Sequence, residues 1–259
     1  MPTAEVDGAQ LAYKVDGQGP ALVLVHAGIA DMRMWDPLAA LLDHRYRVVR
    51  YDMRGHGETT YTAGESSDAD DLGALLTALD IDACTLVGAS FGGLVALDLA
   101  AARPDRVLGL VLADPPLPGY AWSEEMRGFF AAEEAALEAG DLEAATDVNV
   151  EFWLGAAPGP VQEAIREQQL NAFRLQADDE PDDSLLTADL PGALATLEVA
   201  TLVLTGEHDK ADFRAIGDRL AATLPHARRA VVPRAGHLPS LEQPAAFDEI
   251  ALRFLDGRG

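Results

Sequence analysis

Apolar runs alternate with amphipathic stretches along most of the chain. Residues 21–25 are continuously apolar and 107–113 nearly so, and such runs predict strands covered on both faces. Further strands are predicted over 46–51, 84–87, 200–205 and 229–233, while the looser alternation over 10–15 predicts an edge strand. Helical spacing marks 34–42, 69–79 (through Leu72, Leu75, Leu76 and Leu79), 94–102, 213–224 and 244–255. Strands alternating with helices predict an α/β fold, a mainly parallel twisted sheet flanked by helices. The rhythm breaks between about residues 122 and 177, where acidic helical patterns over 126–137, 142–154 and 161–175 follow one another. The expected organisation is a core over residues 1–115 and 197–259, with a helical cap over 116–196 lying across the ligand end of the sheet. The plainer alternative is a helical patch that only completes the core.

One junction in this pattern is abrupt. The run Cys84-Thr85-Leu86-Val87 ends in Gly88-Ala89-Ser90-Phe91-Gly92-Gly93, and the alanine-rich helical stretch begins at once. Glycines two residues before and after a serine suit a strand–turn–helix elbow too tight for side chains at those positions. Such a turn lifts the Ser90 hydroxyl off the sheet beside a helix N-terminus, whose N–H groups favour negative charge.

Composition narrows the possible partners. Forty-three acidic against nineteen basic residues give a formal net charge of −24, a field that repels phosphate backbones, so nucleic acid is not an expected partner. The acidity reads as a solvated surface rather than as steering for cationic substrates. The single cysteine, Cys84, excludes an intrachain disulfide framework and lies in a predicted core strand, where it reads as a small buried residue. No apolar stretch approaches the roughly 20 residues that span a bilayer, and the N-terminus lacks a signal-peptide pattern, so no membrane association and a cytoplasmic location are expected. The histidines show no metal-ligand spacing, so no metal is expected.

In an open α/β sheet, sites collect where strands end at their carboxyl side. Four such ends carry His26-Ala27-Gly28, Ser90, Asp114 and Asp209, and the loop after the last predicted strand carries His237. Serine, acid and histidine in the chain order Ser90, Asp209, His237 fit the nucleophile-elbow architecture. Asp114 is the alternative acid. His26 reads as a loop brace, Arg54 and His56 as residues that fix their own turn, His208 as a surface neighbour of the acid, and His44 and His226 as solvated. Trp122, Phe129, Phe130, Phe152, Trp153 and Phe173 could line an apolar pocket or simply pack the cap.

On these residues the chain resembles the α/β-hydrolase superfamily, and within it the small lidded serine esterases and enol-lactonases. The resemblance rests on Gly88 to Gly93, on Asp52-Met53-Arg54-Gly55-His56-Gly57 as the D-x-R-G-x-G turn, on Gly206-Glu207-His208-Asp209 as the acid loop, and on Gly236-His237. It implies a hydrolase of small, partly apolar carboxylic esters or lactones that works without metal or organic cofactor. Ser90 would be the nucleophile, His237 the base and Asp209 the orienting acid, with oxyanion donors in the N–H groups of Phe91 and Gly28. The loop reads His26-Ala27-Gly28 where the family has His-Gly-x, which leaves Gly28 and Ile29 as alternatives for the second donor. The same constellation also suits a carbon–carbon bond hydrolase or a cofactor-free haloperoxidase, and the fold alone suits a small-molecule receptor. Oligomeric state is not legible.

Overall fold

In the computed structural model, which describes residues 1–62, 64, 66–178, 186 and 189–257, nine strands form one sheet among those residues. They are β1 (Thr3–Val6), β2 (Ala9–Asp16), β3 (Ala21–Val25), β4 (Arg47–Tyr51), β5 (Thr60–Tyr61), β6 (Cys84–Ala89), β7 (Val107–Ala113), β8 (Thr201–Gly206) and β9 (Ala227–Val232). The spatial order is β1-β2-β4-β3-β6-β7-β8-β9, with β5 also paired to β2. Pairings to β2 are antiparallel, and those from β4 to β9 are parallel. Ten helices accompany them: α1 (Asp36–Leu42), α2 (Asp68–Ala78), α3 (Phe91–Ala102), α4 (Glu124–Glu138), α5 (Leu142–Leu154), α6 (Gly159–Asp178), α7 (Leu190–Ala193), α8 (Ala211–Thr223), α9 (Pro239–Glu242) and α10 (Pro244–Leu255).

Period-two alternation divides each central strand between two apolar layers. Val23 and Val25, Leu86, and Leu110 and Leu112 share one cluster with Leu72, Leu75 and Leu76 of α2 and Ile216 and Leu220 of α8. Leu22 and Leu24, Val87 and Ala89, and Val111 and Ala113 share the other with Leu38 and Leu42 of α1 and Phe247 of α10. That both faces are covered explains why these strands read as continuous apolar runs rather than as alternating ones.

The segment over 10–15 is not an edge strand. β2 lies inside the sheet, because β1 folds back on it through a two-residue turn in which Val6 pairs with Ala9. Asp7-Gly8 forms that turn, with Gly8 at φ 69°, a left-handed conformation that glycine adopts at no steric cost. Arg54 ties the hairpin inward. Its guanidinium makes a two-pronged bond to Asp71 (2.6 and 2.9 Å) and also donates to the Asp7 carbonyl.

From β3 the chain crosses to β4 on one side, then returns to β6 on the other. The crevice at such a reversal is where open α/β sheets hold ligands. The parallel strands β3, β6, β7, β8 and β9 deliver the segments after them to that same edge of the sheet. Of the segment 116–196, residues 179–185, 187 and 188 lie outside the described residues. No described helix is long and apolar enough to cross a membrane.

Leu86 is fully buried in the strand that leads to Ser90. Leu86→Ala is expected to lower unfolding stability by about 2–5 kcal/mol, seen as a lower urea midpoint at unchanged denaturant slope.

Candidate active site

Ser90 sits between β6 and α3 with φ 48° and ψ −120°, a conformation that non-glycine residues avoid. A strained residue of this kind costs on the order of 1–3 kcal/mol and persists only where its surroundings leave no other choice. The neighbours supply that compulsion. A Cβ on Gly88 would strike the Gly92 carbonyl and come within 2.7 Å of the Gly93 Cα; one on Gly92 would strike the carbonyls of Val25 and His26. The Ser90 N–H is held by the Ala113 carbonyl at 2.8 Å.

From this turn the Ser90 hydroxyl lies 2.9 Å from His237 Nε2. His237 Nδ1 lies 3.0 and 3.1 Å from the two oxygens of Asp209, whose carboxylate also accepts from the Lys210 N–H at 2.7 Å. The three residues therefore stand in one hydrogen-bonded row, with Asp209 and His237 buried and Ser90 half-buried. Burial pushes the Asp209 carboxyl up, but the charge and hydrogen bond of His237, with bonds from Asp114 and the Lys210 N–H, outweigh it and hold the group below the usual carboxylate range.

Asp114 is beside this row rather than in place of Asp209. It is fully buried, accepts from the Gly206 N–H at 3.1 Å and lies close enough to Asp209 to feel its charge. Burial, and then the neighbouring Asp209 charge, push its carboxyl far above the usual range.

The loop after β3 packs against the serine turn. Gly28 has its Cα side against the Phe91 side chain, where an added Cβ would stand 3.5 Å from the Phe91 Cβ. The N–H groups of Gly28 and Ile29 have no hydrogen-bond partner among the described residues, and Phe91 is the first residue of α3, where helix N–H groups are unpaired. His26 braces this loop: its Nδ1 meets the Ala27 carbonyl at 2.8 Å and its Nε2 accepts from the Met53 N–H at 3.0 Å. His56 spans the carbonyls of Arg54 and Gly28, both at 2.9 Å, and Asp52 accepts from the N–H groups of Met32 and Glu58. The 52–57 turn thus holds the loop in place from below.

Above the row lie aromatic rings. Trp153 of α5 lies over the His237 imidazole with centroids 4.2 Å apart, and Phe213 of α8 meets it at 4.5 Å edge-on. Trp122, Phe129 and Phe152 continue the cluster, and Phe130 touches its exposed side. Phe173 is buried outside that cluster. The inserted helices are tied to the acid turn by polar bonds as well. The Lys210 ammonium sits 3.8 Å over the Phe152 ring and 2.9 Å from Glu125, and Asp212 accepts from both the N–H and the hydroxyl of Ser123. On the far side, Gln168, Asn171 and Gln176 of α6 bond to Asp31, Gly57 and Gly55.

Two contributors escaped the sequence reading. Glu242, five residues after His237, accepts from the N–H groups of both Gly236 and Leu238 (2.8 and 2.9 Å) and so clasps the backbone on either side of the imidazole. An acid inside an otherwise apolar, proline-marked stretch was its only signal. Phe213 had none, since it occupies an ordinary core position of a helical pattern. His208, His44 and His226 are exposed, the last beside Glu198. Burial pushes the Cys84 thiol up to about 12, in keeping with an inert core residue.

The chain matches the model of the alpha/beta hydrolase fold family over residues 20–244. It is 28% identical to 3-oxoadipate enol-lactonase 1 of Acinetobacter baylyi, an alignment covering 96% of this chain and 94% of that protein. Among solved structures it is similar to the enol-lactonase of Burkholderia xenovorans LB400 (27% identity, TM-score 0.83, 98% and 100% of the two chains). It is likewise similar to an esterase of Rhodococcus sp. ECU1013 (25%, 0.84, 100% of both chains).

Burial, then the nearby His56 charge, lower His26 to about 3, whereas burial raises Asp52 to about 6. The depressed His26 contributes stability that is present above its unfolded value of about 6.5 and lost as pH falls toward 3; the raised Asp52 contributes stability that is present below about 3.9 and lost as pH rises through 6. Between pH 4 and 6 the two slopes oppose. Asp52→Asn removes one of them, so its unfolding free energy, measured by urea titration, should fall on acidification more steeply than the wild type's by up to about 1.4 kcal/mol per pH unit. Identical pH slopes would contradict the assignment.

Proposed function

Since the chain belongs to the α/β-hydrolase family and is a hydrolase of ester bonds, we propose that Ser90, His237 and Asp209 cleave a small, neutral, partly apolar ester or lactone through an acyl-enzyme. The observation that carries this reading is the single row from Asp209 through His237 to the Ser90 hydroxyl. His237 takes the Ser90 proton as the oxygen attacks the carbonyl, then passes it to the departing alcohol. Water follows the same route in reverse, with His237 again as base. Asp209 keeps Nδ1 protonated and stabilises the imidazolium, and the Trp153 face over that ring favours the same cation. The oxyanion is met by the Phe91 N–H together with that of Gly28 or Ile29, at the positive end of α3.

Residues 116–196 act as the cap over the core formed by 1–115 and 197–259. Supporting this are the bonds from α6 to the 52–57 turn and from the α4 start to Asp212 of α8, which tie two of its helices to core segments near the site.

The walls near the row argue for a neutral substrate. They are aromatic, and Lys210, the cation next to Asp209 in the chain, is already engaged by Glu125. An anionic acyl group would meet aromatic rings there and would enter against a net charge of −24.

Exposure to a fluorophosphonate should add one adduct to the wild type and none to Ser90→Ala, read by intact mass. Ser90→Ala and His237→Ala should each lose about 10⁴- to 10⁶-fold in ester turnover. An adduct that survives in Ser90→Ala would place the nucleophile elsewhere. In the wild type, neutral aryl esters should exceed carboxylate-bearing lactones in kcat/KM at low salt, and added salt should narrow the gap.

A further inference from the structure

Two carboxyl groups lie near each other at the end of the row, and burial together with their like charge opposes ionising both. Asp114 closes β7 and Asp209 lies in the turn after β8, so the parallel β7–β8 pairing brings the two strand ends side by side. Asp114 is fully buried, and its backbone is held at φ 49°, an arrangement a non-glycine residue keeps only under constraint from its surroundings. That constraint is visible: its own N–H is bound to the Leu204 carbonyl at 2.9 Å, and its carboxyl accepts from the Gly206 N–H. The remaining polar partner of the carboxyl is Asp209.

We propose that Asp114 is a positioning residue of the proposed active site, a permanently neutral carboxylic acid whose O–H donates to Asp209 and fixes that carboxylate for His237. The proposal rests on the reading of Asp209 as the orienting acid.

The charges around the pair decide which group holds the proton. Asp209 faces two groups that favour its ionised form, the His237 imidazole and the Lys210 N–H. Asp114 faces one backbone N–H and the more distant Arg229 of β9, whose guanidinium is already bound to Thr205 (2.6 Å) and Asp218 (3.2 Å). The proton therefore resides on Asp114, and two adjacent carboxyls that cannot both ionise are driven apart in acidity by their surroundings. No proton crosses from Asp114 during turnover. The Ser90 proton moves to His237 and back, while the Asp114 O–H holds one lone pair of Asp209 and thereby the rotamer of the whole carboxylate.

The test compares Asp114→Asn and Asp114→Ala in the full-length protein. Asparagine is neutral and its N–H reproduces the bond, so Asp114→Asn should keep kcat within about three-fold and leave the pH–rate profile unmoved. Alanine removes the donor, so kcat should fall about ten-fold at nearly unchanged KM, and the acid limb of kcat/KM should move to higher pH. Infrared spectra of the wild type near pH 8 should carry the carbonyl stretch of a protonated carboxylic acid that Asp114→Asn lacks; this measurement stands even if the alanine variant does not fold.

The absence of that band, or a shifted acid limb in Asp114→Asn, would mean that Asp114 is ionised and would overturn the proposal. So would an alanine variant with wild-type kcat. Fluorophosphonate labelling of the wild type keeps the two readings apart: a protein that shows the band but does not label would overturn the ester mechanism while supporting the neutral Asp114.

Discussion

Everything in this structure that bears on chemistry depends on how closely three backbone segments approach one another at the end of β6. The end of β3, the serine turn and the start of α3 leave no room for a side chain at Gly88 or Gly92. Ser90 is thereby confined to a conformation it would otherwise avoid. The strain, on the order of 1–3 kcal/mol, is small against the burial of the strands around it, each of whose large apolar side chains contributes about 1.5–3 kcal/mol. The sheet can therefore hold a serine in a strained turn, and the same tightness brings the β3 loop against Phe91. In this way a single packing constraint positions both the proposed nucleophile and the N–H groups proposed to receive the charge it creates.

Around that point the remaining residues are held in place by shared partners rather than by isolated contacts. Asp209 is bound by His237 and Lys210, and His237 by Asp209, Ser90 and two rings. Glu242 fixes the backbone on both sides of the imidazole. A side chain held from several directions loses little further freedom when it reacts, which is the physical content of preorganisation.

The fold was legible because both signals that specify it are local. Continuous apolar runs mark doubly covered strands, and the helix from Pro244 to Leu255 is found with the bounds its spacing predicts. Ser90 and Asp209 could be picked out as candidates because each follows the end of an apolar run, and His237 because it lies in the loop after the last strand. The β1–β2 hairpin was missed because β1 has only four residues, too few for alternation to register, although Asp7-Gly8 is a turn signal in its own right. The place of Asp114 was half legible. Its position at a strand end marked it as a candidate acid, but only the pairing of β7 with β8 reveals that it adjoins Asp209. Trp153 was one of six cap aromatics read as pocket-lining or packing, and Phe213 could not be singled out, because an aromatic that stacks on histidine and one that fills a core look alike in a periodic pattern.

The ring over His237 belongs to α5, a helix of the insertion, whereas the imidazole belongs to the sheet. Access and reactivity are for that reason not independent properties of this molecule. A ligand bulky enough to lift α5 would also strip the imidazole of its aromatic face and draw Phe152 away from Lys210, beside the acid. For such a ligand, the proposed turnover would include the movement of a helix as well as the making and breaking of bonds.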